Sequence, residues 1–185
     1  MRYLQLLKAV RELQPRSILE IGTWNGDRAV QMLTLAPGAK YYGFDLFEDA
    51  NPQTDEEEKN VKPHYYVEAV RKRLSDFRAT LYKGNTRETL RDFNEPIDFA
   101  WIDGGHSIET IRSDWENVQR VLRPGAAVFF DDYYTEIDTS LYGCNQLVET
   151  MPHVVLPAKD PVIPSGFVQM VRVYPDATDP YLQTR

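Results

Sequence analysis

The stretch from Ser17 to Asp27, SILEIGTWNGD, decides the predicted fold of this chain. Its first five residues form a mostly apolar run that is typical of a buried strand. Gly22 and Gly26 then supply a sharp turn, and Asp27 stands where a helix begins. A strand, a glycine turn and a helix start together form a nucleotide-sized pocket at the carboxyl end of a parallel strand.

The glycine spacing in this turn narrows the choice of ligand. A dinucleotide fingerprint needs Gly-x-Gly-x-x-Gly, so that backbone amides can approach a pyrophosphate. Here Trp24 and Asp27 occupy the second and third glycine positions, and the Asp27 carboxylate at the positive end of the helix would repel a pyrophosphate. The turn therefore disfavours a nicotinamide oxidoreductase. It favours an adenosine ligand without phosphates, for which S-adenosylmethionine is the obvious candidate.

Composition limits the class of protein further. A chain of 185 residues predicts one domain, 1–185, with an N-terminal helical segment at 1–16 and a tail at 176–185. The net charge of −7 and the pI of about 5.0 argue against a nucleic-acid or anionic-membrane partner. The single cysteine, Cys144, rules out an internal disulfide and suits the cytoplasm. No apolar run approaches the length of a membrane span or a signal peptide.

Predicted strands and helices alternate through about the first 130 residues. This pattern favours a parallel sheet with helices on both faces, and a short final connection favours an antiparallel last pair. The predicted strands are 17–21, 41–45, 80–83, 98–103, 126–131, 154–156 and 167–173. The predicted helices are 4–13, 27–35, 67–77, 86–93, 108–122 and 140–149.

The segment from Asp49 to Lys62 breaks the alternation. It carries the acidic run Asp55 to Glu58 and almost no apolar residues, which predicts a solvated, mobile loop. The loop is either an insertion without a role or a lid over the pocket, since it leaves from the carboxyl end of the second strand.

The ends of the predicted strands supply the candidate ligand contacts. Asp45 ends the second strand, 23 positions after Gly22, and its carboxylate can accept hydrogen bonds from both ribose hydroxyls. After the third strand, either Asn85 meets the adenine or Thr86 caps the next helix. The expected cofactor contacts are Glu20, Gly22, Thr23, Trp24, Gly26, Asp45, Asn85, Thr86 and Asp103.

Three acids, Asp103, Asp131 and Asp132, end the fourth and fifth strands. Like charges at neighbouring strand ends need neutralisation, and oxygen ligands favour a hard ion such as Mg²⁺. Alternatively, one acid caps a helix, another pairs with an arginine, and no metal binds. Adjacent strand residues point to opposite faces, so Asp131 and Asp132 can share a metal only where the strand curls.

His106 follows Asp103 by three positions, in a glycine-rich turn. A neutral imidazole there could take the proton from a substrate hydroxyl, and a neighbouring metal would lower the hydroxyl's pKa. The alternative is that His106 only begins the next helix and contacts backbone. His106 and Asp103 are therefore the candidate catalytic residues.

Four segments together resemble one branch of the class I S-adenosylmethionine-dependent methyltransferases: 18–26, 98–106, 122–125 and 131–133. This branch contains the macrocin-type O-methyltransferases and the cephalosporin-hydroxylase-like proteins. The resemblance implies a Rossmann-like, doubly wound sheet of about seven strands, mostly parallel with an antiparallel last strand. It also implies a divalent metal held by Asp103, Asp131 and Asp132, with His106 as the base.

The predicted function is methyl transfer from S-adenosylmethionine to a hydroxyl of a small molecule, such as a sugar, assisted by a divalent cation. Two alternatives stay open: a metal-independent methyltransferase on another acceptor such as an amine, and a non-catalytic ligand-binding domain that retains the fold. The sequence does not identify the acceptor, because the N-terminal segment is expected to hold a single short helix and no separate substrate domain.

Overall fold

The computed structural model describes residues 3–135, 139–156 and 168–176. The strands are β1 (Ser17–Ile21), β2 (Lys40–Asp45), β3 (Ala79–Lys83), β4 (Ile97–Ile102), β5 (Leu122–Tyr134), β6 (His153–Leu156) and β7 (Val168–Val173). The helices are α1 (Leu4–Leu13), α2 (Asp27–Leu35), α3 (Pro52–Glu58), α4 (Val67–Arg73), α5 (Thr86–Thr89), α6 (Ile108–Gln119) and α7 (Asn145–Val148). Residues 177–185 of the predicted tail 176–185 and the loop at 157–167 before β7 lie outside the described residues.

The strands form one seven-stranded sheet in the order β3-β2-β1-β4-β5-β7-β6. The first five strands pair in parallel, and β7 runs antiparallel to both β5 and β6. The predicted fold class is therefore confirmed. The chain winds outward from β1 to β3 and then returns to the other side of β1, so the strand order switches between β1 and β4. Ligands of open α/β sheets bind at such a switch point.

Both faces of the sheet are covered. All five residues of β1 are buried, as expected for a central parallel strand. Alternate residues of β1 enter different cores: Ile18 packs with α1 and α2, whereas Leu19 packs with α6. Asp27–Leu35 forms a helix as predicted, and its N-cap, Gly26, has a φ of +79°. A side chain there would meet Val70 of α4, so glycine serves both the turn and the packing.

Several predicted elements differ in extent, among them the helices predicted for 67–77 and 108–122, which end at Arg73 and Gln119. The helix predicted for 140–149 is confined within the described residues to α7, and the one predicted for 86–93 to α5. Strand β5 runs on to Tyr134, because its partner β7 continues the ladder past a bulge between Phe130 and Tyr133. No helix in the described ranges has the length and apolarity needed to cross a membrane.

The segment 49–62, predicted as a solvated, mobile loop, contains regular structure. Residues Phe47–Asp49 form a 3₁₀ turn, and α3 follows. Asn51 caps α3 by accepting hydrogen bonds from the backbone amides of Gln53 and Thr54, and Pro52 stands at the first helical position. The helix buries no residue of its own, so capping and polar contacts define it rather than an apolar face.

Candidate active site

The turn after β1 passes directly against the end of β4. Gly22 has a φ of +86°, and a Cβ at this position would lie 1.9 Å from the carbonyl oxygen of Asp103. Only glycine fits, because both the backbone conformation and the space exclude a side chain. Trp24 also adopts a positive φ, of +50°, and its backbone amide donates to Oδ2 of Asp45 at 2.7 Å. The glycine turn and the acid ending β2 therefore form one unit.

A cavity of about 220 Å³ opens beside this unit, at the carboxyl ends of the parallel strands. The sequence-predicted residues that line it are Gly22, Trp24, Asp45, Asn85, Thr86, Asp103 and His106. Glu20, Thr23 and Gly26 are not among the lining residues. Residues predicted from four strand ends thus meet at one place, as expected where parallel strands end at a switch point.

Asp45 is held as an acceptor at the cavity wall. Its second oxygen, Oδ1, accepts the backbone amide of Phe47 at 2.7 Å. Burial raises the pKa of Asp45, and the amides of Phe47 and Trp24 oppose this rise. Each carboxylate oxygen keeps a further lone pair, so the group is oriented and still able to accept ribose hydroxyls.

Asn85 and Thr86 were considered for two roles, contact with the adenine and capping of the helix after β3. Asn85, and not Thr86, caps α5, because its side chain accepts the backbone amide of Arg87. Thr86 is buried beside Asp114 of α6, and burial raises the pKa of Asp114 to about 7. Both Asn85 and Thr86 also line the cavity, so capping does not remove Asn85 from the candidate adenine site.

Glu20 lies inside the protein and not on the cavity wall. It is 1% exposed, and the Tyr41 hydroxyl donates to its Oε2. Burial raises the pKa of Glu20 to about 8, although the Tyr41 hydrogen bond and Arg28 act in the opposite direction. The acid of the first strand is therefore a buried structural group.

We expect Glu20 to make stability depend on pH. Its pKa rises from 4.5 to about 8 on folding, so the folded state retains the proton that the unfolded state loses. Glu20 should therefore make the free energy of unfolding fall as the pH rises from about 4.5 to about 8, and its own contribution is at most about 1.4 kcal/mol per pH unit. Glu20→Gln, which resembles the protonated form, should flatten this slope in urea unfolding measured across the pH range.

The matched control is Glu116→Gln, an exposed glutamate that should keep the wild-type slope. A smaller slope below about pH 7 should remain in Glu20→Gln, because burial also raises the pKa of Asp114. A Glu20→Gln protein with the unchanged wild-type slope would contradict this assignment.

The opposite wall of the cavity comes from α3 and the residues after it, a segment for which the sequence left open a lid over the pocket or an insertion without a role. Its members that line the cavity are Thr54, Asp55, Glu57, Glu58, Asn60, Lys62, Pro63 and His64. The indole Nε1 of Trp24 donates to the Pro63 carbonyl at 2.8 Å, which ties this wall to the glycine turn. A further signal in this segment is the helix start Asn51-Pro52, with a threonine three residues after the asparagine.

His106 touches both this wall and the end of β5. Its Nδ1 lies 2.7 Å from the backbone carbonyl oxygen of Glu58, and its Nε2 lies 3.3 Å from Oδ2 of Asp132. A carbonyl oxygen can only accept, so Nδ1 carries the hydrogen. In a neutral ring, Nε2 then keeps its lone pair and can take a proton.

The three acids predicted as metal ligands are not gathered into a cluster. Asp131 is buried and accepts a hydrogen bond from the Tyr3 hydroxyl at 3.2 Å. Asp132 has a φ of +57°, so the strand does bend there, yet this carboxylate contacts His106. Within the described part of the chain, no three His, Cys, Asp or Glu side chains come together as a possible metal site. The metal-binding role of these acids therefore stays a prediction.

The comparisons with known proteins agree with this geometry. Residues 19–133 match the model of a methyltransferase domain family. The chain belongs to this family. The match spans the glycine turn, Asp45, the His106 turn and the end of β5, and it confirms the predicted class of enzyme, a methyltransferase dependent on S-adenosylmethionine. A search among curated protein sequences found no match.

Solved structures share the fold of this methyltransferase. An O-methyltransferase from Bacillus cereus in complex with S-adenosylhomocysteine aligns with a TM-score of 0.66 and 18% identity, over 92% of this chain and 79% of the other. TomG from Streptomyces achromogenes, an O-methyltransferase involved in tomaymycin synthesis and solved with S-adenosylmethionine, aligns with a TM-score of 0.62 and 17% identity, over 91% and 77%. At these identities the likeness shows the fold alone.

Proposed function

We propose that this methyltransferase transfers the methyl group of S-adenosylmethionine to a hydroxyl oxygen of a small molecule, with His106 as the general base. The observation that carries the proposal is the setting of His106 at the edge of the cavity. Its Nδ1 is occupied by the Glu58 carbonyl, and its Nε2 faces the Asp132 carboxylate. A base in this setting is needed for a hydroxyl acceptor, which must lose its proton during transfer.

The donor site is the cavity between the glycine turn and α3. Asp45 would accept the ribose hydroxyls, and Asn85 and Thr86 would border the adenine. The donor S-adenosylmethionine in one O-methyltransferase neighbour and its product S-adenosylhomocysteine in the other support this choice of ligand. Alignment of donor and acceptor contributes much of the acceleration in such a reaction, because the sulfonium already makes the methyl electrophilic.

The transfer balances as a single displacement. The acceptor oxygen forms a bond to the methyl carbon while the carbon–sulfur bond breaks, and the bonding electrons pass to sulfur to leave S-adenosylhomocysteine. The hydroxyl proton moves to Nε2 of His106. The Asp132 carboxylate, 3.3 Å from Nε2, then stabilises the imidazolium that forms.

Metal assistance and a sugar acceptor stay predictions. Asp103 lines the cavity, and Asp131 accepts a hydrogen bond from Tyr3 while its carboxylate keeps further lone pairs. The mechanism above assigns no step to a metal. In this proposal, methyl transfer depends on deprotonation of the acceptor by His106 and on alignment of donor and acceptor in the cavity.

The test is release of S-adenosylhomocysteine from the purified protein with S-adenosylmethionine and a panel of small sugars, phenols and amines, with and without EDTA. We expect turnover with a hydroxyl compound, and survival of that turnover in EDTA would count against metal assistance. Turnover lost in EDTA and restored by Mg²⁺ would favour the metal-assisted reaction. Turnover with amines alone would overturn the hydroxyl acceptor, and tight binding of S-adenosylhomocysteine without turnover would favour a non-catalytic domain.

A further inference from the structure

Asp114 of α6 is a buried carboxylate that lies directly behind the wall of the cavity. It is 1% exposed, and among the described residues no hydrogen bond of standard geometry reaches either of its side-chain oxygens. A Cβ on Gly104 would lie 3.7 Å from Oδ2 of Asp114, and the Thr86 hydroxyl lies beside the carboxylate. Gly104 and Thr86 both line the cavity. A buried carboxylate needs hydrogen bonds, so its place behind these two residues points to a role in the donor site.

The Thr86 hydroxyl is the side-chain donor beside this carboxylate. Burial raises the pKa of Asp114 to about 7, and the Thr86 hydroxyl opposes the rise by donating to it. Glu58 of α3 adds to the rise, and Arg87 of α5 opposes it. An ionised carboxylate only accepts, whereas a hydroxyl has one hydrogen to give. Thr86 therefore turns its hydrogen toward Asp114 and presents lone pairs to the cavity.

Asn85 has a fixed polarity as well. Its Oδ1 accepts the backbone amide of Arg87 at 2.9 Å, which caps α5. Because the capping bond uses the oxygen, the amide nitrogen is the part of the side chain that offers hydrogens to a ligand. The cavity wall thus presents a donor at Asn85 next to an acceptor at Thr86. Adenine carries the complementary pair, an amino donor beside a ring-nitrogen acceptor, whereas a 6-oxopurine has an acceptor in place of the amino group.

We propose that Asp114 is a positioning residue that makes the donor site specific for 6-aminopurine nucleosides, by holding the hydrogen of the Thr86 hydroxyl. This inference rests on the donor site of the proposed function, and it adds how the purine is chosen. Asp114 acts through Thr86 and does not touch the ligand. A 6-oxo group would face a hydroxyl oxygen that has no hydrogen left to give, so two buried acceptors would remain unsatisfied.

The test compares two ligands by calorimetry at about pH 8, above the raised pKa of Asp114. S-adenosylhomocysteine carries the 6-amino group, and S-inosylhomocysteine carries an oxygen in its place. Wild-type protein should bind the first roughly 5- to 150-fold more tightly, as the cost of an unsatisfied polar group predicts. Asp114→Asn should bind S-inosylhomocysteine more tightly than the wild type does, because an amide NH₂ can donate to Thr86 and release its hydrogen toward the ligand.

Two variants of Thr86 separate the polarity of the hydroxyl from the fold of the site. Thr86→Ser keeps the hydroxyl and should keep the wild-type preference between the two ligands. Thr86→Val removes the hydroxyl and should reduce the preference to the part that Asn85 supplies. Glu116→Gln, at an exposed acid of the same helix, is the matched control and should keep the wild-type preference. Thermal unfolding of each sample would show that it is folded.

A purely structural role of Asp114 would weaken both ligands together and would not improve binding of the 6-oxo analogue. Equal affinity of the wild type for the two ligands would overturn the inference. The full wild-type preference in a folded Asp114→Asn or Thr86→Val protein would overturn it as well.

These are binding measurements, so they depend neither on turnover nor on the acceptor or His106. A His106→Ala enzyme with the wild-type rate would remove the proposed base and leave this inference standing. A wild type that binds neither ligand would instead remove the proposed donor site, and this inference with it.

Discussion

Replacing His106 with alanine should lower turnover by about 10²–10⁴-fold, the range for loss of a positioned general base. Nε2 of His106 is the atom assigned to take the acceptor's proton, and Asp132 stands 3.3 Å away to stabilise the resulting charge. The measurement is release of S-adenosylhomocysteine at saturating donor, with the hydroxyl acceptor that the panel identifies. Binding of S-adenosylhomocysteine, measured by calorimetry, should persist.

His106→Asn separates base chemistry from docking of α3. An asparagine amide can still donate to the Glu58 carbonyl but has no group at the position of Nε2. This variant should therefore be as slow as His106→Ala. His153→Ala, at a histidine in β6, should keep wild-type turnover. A His106→Asn enzyme with the wild-type rate would remove His106 as the base.

Replacing Asp45 with alanine should weaken S-adenosylhomocysteine binding by about 1.5–3 kcal/mol, or roughly 10- to 150-fold, the range for hydrogen bonds to a charged group. The carboxylate is fixed by the amides of Trp24 and Phe47, and it faces the cavity with lone pairs to spare. Calorimetry at several temperatures gives the affinity. Asp76→Ala, which removes an exposed aspartate, is the matched control and should bind as the wild type does.

An analogue of S-adenosylhomocysteine that lacks the ribose 2′-hydroxyl tests the contact itself. Wild-type protein should bind the analogue more weakly than the parent compound, whereas Asp45→Ala should bind both equally. Equal affinity of the wild type for the two ligands would contradict ribose binding by Asp45. A loss in Asp45→Ala that is equal for both ligands would then reflect the unsatisfied amides of Trp24 and Phe47.

Much of the candidate donor site was predictable, because its residues stand at or near the carboxyl ends of parallel strands. Gly22 and Asp103 directly follow β1 and β4, Asp45 ends β2, and Asn85 lies two residues after β3. Parallel strands bring such residues to one edge whatever the details of packing. His106 was predictable for the same reason, since it lies in the turn that follows β4.

The α3 wall was not predictable in this way. Polar residues in a short segment give no periodic apolar signal, and α3 docks through the Glu58 side chain, which accepts the backbone amide of Ser107 and is one of four consecutive acids in the sequence. Which of those acids turns inward depends on the position of Ser107 and on the space at Gly105. These are relations between segments that are distant in the chain, so no local pattern records them.

The sequence by itself determined the sheet, the glycine turn and the set of residues at the strand ends, because apolar periodicity and glycine spacing are local properties of a chain. Tertiary structure alone decided how the acids are used. Glu20 is buried against Tyr41, Asp131 bonds to Tyr3, and Asp132 turns to His106. The reason is physical: the charge and hydrogen-bonding state of a carboxylate depend on burial and on partners from other elements, and these exist only after packing.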